Sequence, residues 1–200
     1  MSNSKEKGKS FEREICKKLS LWISNDKRDD IFWLTSGSGS RATTRFKKNK
    51  STAYQGGDIT FTDPVGEPLI KNFHIELKTG YSRKNKTKNG TYLINWCLLD
   101  ILDSKQKLPI FNEFILQLEK DSEISKREPI LIFRRQNREV LICIRYKLFN
   151  FIEKKILLLE EQKLNIININ NFYYILKFSE FLEITKHDIN SLFCFSEKIN

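Results

Sequence analysis

The residues with the greatest chemical potential lie between positions 58 and 78. Asp58 opens one apolar run, and Glu76-Leu77-Lys78 closes another. The first run reads Gly56-Gly57-Asp58-Ile59-Thr60-Phe61-Thr62, the second Phe73-His74-Ile75-Glu76-Leu77-Lys78-Thr79-Gly80. Both alternate with period two, as half-buried strands do. Alternation puts Ile59 and Phe61 on one face, with Asp58 and Thr60 opposite. It likewise separates Phe73, Ile75 and Leu77 from His74, Glu76 and Lys78. Strands paired through the Asp63-Pro64-Val65-Gly66 turn would bring two carboxylates and an ammonium onto one polar face. Such oxygen ligands suit a hard divalent cation, and a Lys beside it can act on water. The plainer reading is a solvated strand face, and these three residues alone do not decide between the two.

The elements around this cluster supply a third acid. Gly8-Lys9-Ser10-Phe11-Glu12-Arg13-Glu14 opens a helical stretch, with Ser10 as its N-cap. Phe11, Ile15, Leu19, Trp22 and Ile23 recur at helical spacing and form the stripe to be buried. Glu12 lies at the edge of that stripe, because Cys16, Leu19 and Ile23 follow it four, seven and eleven residues on. Glu14 lies towards Lys17 and Lys18 and reads as their solvated partner. Glu12 is therefore the acid able to face Asp58 and Glu76. Its alternative role is that of a helix-dipole acid in a first turn.

Asp58, Glu76 and Lys78, in that order and spacing, resemble the motif of the PD-(D/E)xK nuclease superfamily, with Gly57 where the motif's name has Pro. The Gly-x-x-x-Glu-Arg-Glu start resembles the archaeal-type Holliday-junction resolvases, and so does the order of elements: helix, Ser/Gly-rich loop, Asp strand, Glu-x-Lys strand. The likeness is clearest up to Gly80 and extends to residue 145. It implies an α/β protein with a restriction-endonuclease-like αβββαβ core, a mixed sheet flanked by helices and a C-terminal extension. It also implies a metal-dependent DNA endonuclease with Glu12, Asp58, Glu76 and Lys78 as catalytic residues. In that scheme Asp58, Glu76 and the backbone carbonyl of Leu77 hold one or two Mg²⁺ ions, with Mn²⁺ able to substitute. Glu12 supports the metal directly or through water, and Lys78 orients and helps deprotonate the attacking water. Leu34 departs from the resolvases, which usually carry an Arg there; Arg41 or Arg45 is the candidate replacement.

Branched DNA is the substrate this likeness favours. A site-specific (restriction-type) or nicking nuclease is the second reading. From a different class comes a nucleic-acid-binding module that keeps the fold without cleaving, against which the intact Glu12, Asp58, Glu76 and Lys78 set argues. One such cluster processes one phosphodiester at a time, so cutting two strands calls for a symmetric homodimer.

Charge points to the same partner. The chain carries 35 Lys+Arg against 25 Asp+Glu, a formal +10. Residues 1–90 hold 19 basic against 10 acidic residues, leaving 16 against 15 for the remainder. A basic half that contains the carboxylate cluster fits a polyanion. Two basic runs flank the cluster, Arg41 to Lys50 and Arg83 to Lys88, and both read as loops. Arg13, Ser38, Arg41, Arg45, Lys47, Lys48, Arg83, Lys84, Lys86 and Lys88 are the candidate DNA contacts. Each run has the alternative of being a plain solvated loop.

Two hundred residues allow one sizeable domain without disulfides. Cys16, Cys97, Cys143 and Cys194 form no Cys-x-x-Cys pair, which disfavours a zinc site or a disulfide framework. With no apolar leader and no apolar run long enough to span a bilayer, the expectation is a soluble, intracellular, cytoplasmic protein without membrane contact. Ser36 to Ser40 lacks the Gly-Lys-Ser/Thr ending of a phosphate loop. His74 stands on the polar face two residues before Glu76, as a site residue or as a hydrogen-bonded strand residue.

Residues 1–146 form the expected nuclease core. Leu93 to Leu102 fits strand or helix, Pro109 opens a helix, and Pro129 to Phe133 and Glu139 to Tyr146 are strands. Residues 147–200 form an extension of the same domain. It has helical character over Phe149 to Leu159 and strands at Leu164 to Ile169 and Phe172 to Phe178; a further helix starts at Glu180. It has three possible uses: extending the sheet, forming a dimer surface or contacting substrate.

Overall fold

The apolar stripe of the first helix organises one side of the molecule. In the computed structural model, which describes residues 4–35, 56–80, 82–87, 90–95, 97–103, 105, 109–135, 137–156, 166–169, 172–186 and 188–194, helix α1 runs Ser4–Ile23. It buries Phe11, Ile15, Cys16, Leu19 and Trp22, and Ile23 packs against the same core. The helix begins earlier than Ser10, which is an interior residue and not the N-cap. Glu6 in the first turn suits the helix dipole, and burial of the stripe outweighs the poor propensity of Gly8 and Ser10. Ser20 ties α1 to the next element: its hydroxyl donates to Cys16 O (2.8 Å) and accepts from the Phe32 amide (2.9 Å).

Strand β1 (Phe32–Leu34) pairs antiparallel with β2 (Ile59–Phe61) in a small separate sheet. The expected hairpin between β2 and the Glu76 strand does not form. The Asp63 carboxylate caps a 3-10 turn, Pro64–Gly66, by accepting from the Val65 amide at 3.0 Å. Helix α2 (Glu67–Asn72) follows and buries Leu69 and Ile70. Pro64 and Pro68 each stand at a helical N-terminus, where their fixed φ favours a helical turn. This segment also has apolar side chains to bury, which a tight turn could not do.

Strand β3 (Phe73–Thr79) then enters the main sheet as its edge strand. The run after it, expected as a loop, is a hairpin of β4 (Ser82–Thr87) and β5 (Gly90–Asn95). The segment that fits strand or helix is both: β5 ends at Asn95, and helix α3 spans Asp100–Asp103. Helix α4 (Ile110–Ser125) starts after Pro109 and ends at Lys126, whose φ of 53° is left-handed. The Arg127 amide reaches back to Ser122 O, closing the helix end and delivering Arg127 to the start of β6 (Glu128–Arg134).

The main sheet has the order β3-β6-β7-β9-β8, with β7 at Leu141–Arg145, β8 at Ile167–Ile169 and β9 at Tyr173–Lys177. β3 and β6 are parallel and the other pairs antiparallel. This is a mixed sheet flanked by helices, the restriction-endonuclease-like arrangement. Alternation divides the core in two. Phe73, Ile75 and Leu77 of β3, Ile130 and Ile132 of β6, and Ile142 and Ile144 of β7 pack with α1 and with α5 (Tyr146–Ile156) and α6 (Phe178–Lys186). On the other face, Leu131, Phe133, Cys143 and Ile175 meet Phe111, Phe114 and Leu118 of α4.

Beyond residue 147, β9 and β8 extend the sheet, and Ile152, Phe178, Phe181, Ile184 and, from helix α7 (Ile189–Cys194), Leu192 join the larger core. Among the described residues, Cys16, Cys97 and Cys143 are free thiols. No described helix is long and apolar enough to cross a membrane.

Candidate active site

On the α4 side of β3 the apolar pattern breaks. At successive register positions β6 offers Leu131 and Phe133 to α4, whereas β3 offers Glu76 and Lys78. All six residues from Phe73 to Lys78 are buried, so the polar face is covered and not a solvated one. A buried charged row at the edge of a sheet requires partners.

The first partner comes along the free edge of β3. The Asp58 amide donates to Ile75 O (3.0 Å), and Asp58 Oδ2 accepts from the Leu77 amide (2.8 Å). The two glycines before it make this approach possible. Gly57 has a φ of 91°, and a Cβ there would lie 2.8 Å from Ile75 O. In a strand, the N–H and C=O of one residue point to the same edge, so the Leu77 carbonyl faces the edge that Asp58 occupies. Asp58 and Glu76 thus meet across the β3 edge and not through a hairpin.

The second set of partners comes from α4. Lys78 Nζ donates to Glu76 Oε1 at 2.6 Å and to Gln117 Oε1 at 3.1 Å; Gln117 Nε2 donates to the same Glu76 Oε1 at 3.0 Å. The Lys78 ammonium also stands 5.8 Å from the centre of the Phe114 ring. Gln117 therefore holds both the acid and the base of Glu-x-Lys from above. Both bonds to Glu76 fall on Oε1. Burial and then the nearby Asp58 charge raise the Glu76 pKa to about 7, against the lowering effect of Lys78.

Helix α1 supplies the third acid. Burial raises the Glu12 pKa above its ordinary value, and the Asp58 charge raises it further, with Lys9, Arg13 and Lys78 opposing. Glu12, Asp58 and Lys78 therefore lie in one another's fields. The Cys16 thiol, one turn along, is pushed up to about 12 by burial, with Glu12 and Asp58 adding to the effect. Glu14 lies elsewhere. It receives Lys18 Nζ at 2.9 Å and Arg134 Nη1 at 2.7 Å, which hold its pKa below the usual value despite partial burial. Lys17, expected beside it, pairs instead with Asp29.

Behind the cluster, Arg127 is buried in a cage of carbonyls. Its Nη2 donates to Gly56 O (2.6 Å), and its Nη1 to Ile70 O (2.8 Å) and Phe73 O (3.4 Å). Nη2 also lies 3.2 Å from His74 Nδ1. Arg127 thereby fixes the backbone on both sides of the Gly56-Gly57-Asp58 approach. Burial and the Arg127 charge push the His74 pKa down to about 3, which leaves the ring neutral. Neither Gln117 nor Arg127 stands out in the sequence. The only signal for either is a polar residue on or just after a helix that follows the Glu-x-Lys strand.

Of the candidate DNA contacts, Arg13 is exposed on α1 near Glu12. Arg83, Lys84 and Lys86 belong to β4, with Lys84 opposite Leu93 and Lys86 opposite Thr91 in the hairpin. Ser38, Arg41, Arg45, Lys47, Lys48 and Lys88 lie outside the described residues, as does the question of what replaces the Arg absent at Leu34.

The donor set fits a divalent cation. Glu12 of α1, Asp58 just before β2 and Glu76 of β3 lie in one another's fields with the Lys78 ammonium, and Asp58 raises the cost of ionising both Glu12 and Glu76. Glu76 Oε2 takes no hydrogen bond among the described residues, although the residue is only 6 % exposed. A cation relieves that repulsion and uses that oxygen. No curated protein and no solved structure matches the chain. The model of the family described as "phage putative PDDEXK endonuclease" matches residues 3–191. That span contains every element from α1 through the first half of α7, with Glu12, Asp58, Glu76 and Lys78 inside it. The chain belongs to this PDDEXK endonuclease family.

Proposed function

We propose that the protein is a metal-dependent DNA endonuclease, with Glu12, Asp58, Glu76 and Lys78 as its catalytic residues. The observation that carries this reading is the meeting of Asp58 and Glu76 across the β3 edge, with Lys78 hydrogen-bonded to Glu76 at 2.6 Å. Asp58, Glu76 and the Leu77 carbonyl would hold Mg²⁺, for which Mn²⁺ can substitute, with Glu12 in support. Bound there, the ion supplies charge stabilisation to the scissile phosphate.

The chain's own groups do the rest. Lys78, steered by Gln117 and Glu76, orients the attacking water and helps to take its proton. Gln117 keeps the ammonium from turning away towards solvent. Arg127 and Gly57 hold Asp58 in register with Leu77. Arg13, Ser38, Arg41, Arg45, Lys47, Lys48 and Lys88, with Arg83, Lys84 and Lys86 of the hairpin, would contact phosphates on either side.

Within this class we favour a structure-specific enzyme acting on branched DNA as a symmetric homodimer, like the Holliday-junction resolvases. The single Asp58–Glu76 cluster seen among the described residues supports that choice, because two cuts then need two chains. Cleavage of a four-way junction compared with a linear duplex of the same sequence tests it, alongside sedimentation at micromolar concentration. Paired cuts by a dimer on the junction are expected. A monomer that nicks one strand of either substrate would leave a nicking nuclease in its place.

A further inference from the structure

The face of the small sheet that turns away from the core leads back to Asp58. In the β1–β2 register Phe32 stands opposite Phe61 and Leu34 opposite Ile59, and all four belong to the larger core or pack against it. Alternation therefore puts Trp33 and Thr60, which stand opposite one another, on the other face. The ladder runs one step past the strand ends: the Thr35 amide donates to Asp58 O at 3.0 Å, so Thr35 stands opposite Asp58. Trp33 thus shares a face with Asp58, one same-face position away. Two strand residues span about 7 Å, the rise of about two stacked nucleotides.

Trp33 is 54 % exposed. A single exposed aromatic residue is ordinary, and its place is what gives it meaning. The backbone that carries it is tied at both ends. The Phe32 amide donates to Ser20 Oγ of α1 at 2.9 Å, and the Thr62 amide donates to Ile31 O at 2.8 Å. One hydrogen-bonded ladder therefore positions both the indole and the Asp58 carboxylate. Thr60 and Thr35 are the other residues on this face beside Asp58, and neither is charged. An aromatic face among hydroxyls suits a nucleobase and its sugar. Any base can stack on an indole once it has left the duplex stack.

We propose that Trp33 stacks on an unpaired base of the DNA strand held at Asp58, about two nucleotides from the phosphate that is cut. The stack favours DNA with unpaired bases over intact duplex. This rests on the reading of the Asp58 cluster as the DNA site and specifies which DNA that site takes. The competing role for the indole is packing on the sugars of any DNA, paired or not.

The test is binding of the full chain, in EDTA and at one salt concentration, to a fully paired duplex and to the same duplex carrying a bulge of unpaired bases. Affinity and indole emission are both read. The bulged DNA should quench the emission of the wild type, and Trp33→Phe should lose that quenching, since Trp22 is buried in the core. Trp33→Ala should weaken binding of the bulged DNA about 5- to 150-fold, the range for one base–aromatic stack, and binding of the duplex by less than about twofold. Trp33→Phe, which keeps an aromatic face, should recover most of the affinity. Equal weakening on both DNAs would assign the indole to sugar packing and overturn the proposal, as would unchanged affinities in Trp33→Ala. Failure to bind either DNA would overturn this proposal together with the DNA reading of the site. Bulge-dependent quenching in a chain that cleaves no DNA would uphold the stack and defeat only the nuclease assignment. Metal-dependent cleavage, with Trp33→Ala indifferent to the bulge, would do the reverse.

Discussion

Glu12 and Glu14 stand two residues apart on one helix and have opposite electrostatic surroundings. Glu14 meets two cations, Lys18 and Arg134, which hold its carboxyl below the usual range. Glu12 meets burial and another carboxylate, Asp58, which push its carboxyl above that range. Around Glu14 two cations outweigh burial, whereas around Glu12 burial and Asp58 outweigh the opposing Lys9, Arg13 and Lys78. An acid paired with cations at a half-exposed surface adds a little stability. Acids gathered in excess at a buried edge cost stability, and a fold retains them only where something else gains.

The sharpest way to break this contrast is to remove the excess acids. Asp58→Asn or Glu76→Gln should reduce cleavage to background while the far-UV spectrum and most DNA affinity persist. Residual cleavage of more than a few per cent, in protein shown to be folded, would move the site elsewhere. Lys78→Ala should slow cleavage by about 10²–10⁴-fold, the range for loss of a positioned proton-transfer group, with metal still bound.

The two glutamates should then separate on two readouts. Glu12→Gln should lose most activity without loss of stability, because it removes a repulsion. Glu14→Gln should keep activity and lose about 0.2–1 kcal/mol for each partially exposed pair. Urea denaturation and cleavage rates measured on both variants decide this, and equal activity losses would place the wrong face of α1 towards the site.

The pH dependence sharpens the same contrast. Glu76 has a folded pKa of about 7 against an ordinary value of 4.5, so it favours the fold when protonated. That contribution is full below pH 4.5 and is lost as the pH rises through 7. Without metal, the melting temperature of the wild type should therefore fall relative to Glu76→Gln across this window. A constant difference between the two proteins would contradict the assigned shift. Glu14, whose pKa is lowered, acts in the other direction, its contribution being lost only in more acid solution.

The smallest effect is expected from the basic runs. Replacing Lys47, Lys48, Lys84 and Lys86 by Ala should flatten the log–log salt dependence of binding by about 0.9 for each phosphate that is no longer neutralised. An unchanged slope would reduce these lysines to solvated charge.

How much of the fold and site is legible in the sequence follows from the range of the interactions. Period-two alternation identifies β3, and helical period separates Glu12 from Glu14, because both depend on residues close in the chain. The partnership of β2 with β3 is misjudged from sequence. A turn motif at Asp63 to Gly66 is consistent with a hairpin, but Pro64, Pro68, Leu69 and Ile70 favour short helices that carry the chain away. The lysines after Lys78 read as loop because charge hides strand propensity, and their pairing with Gly90–Asn95 is a property of both segments. Gln117 lies 41 residues from Glu76, and only the packing of α4 over β3 brings them together. That same packing buries the polar face of β3, for which the alternation alone left a solvated and a ligand-binding reading open.

The most direct test of the central claim is cleavage of DNA by the wild-type chain in Mg²⁺ and in EDTA, with Asp58→Asn measured beside it. The account predicts cleavage in Mg²⁺, none in EDTA, and none by the variant in either. Equal cleavage with and without the metal would contradict it.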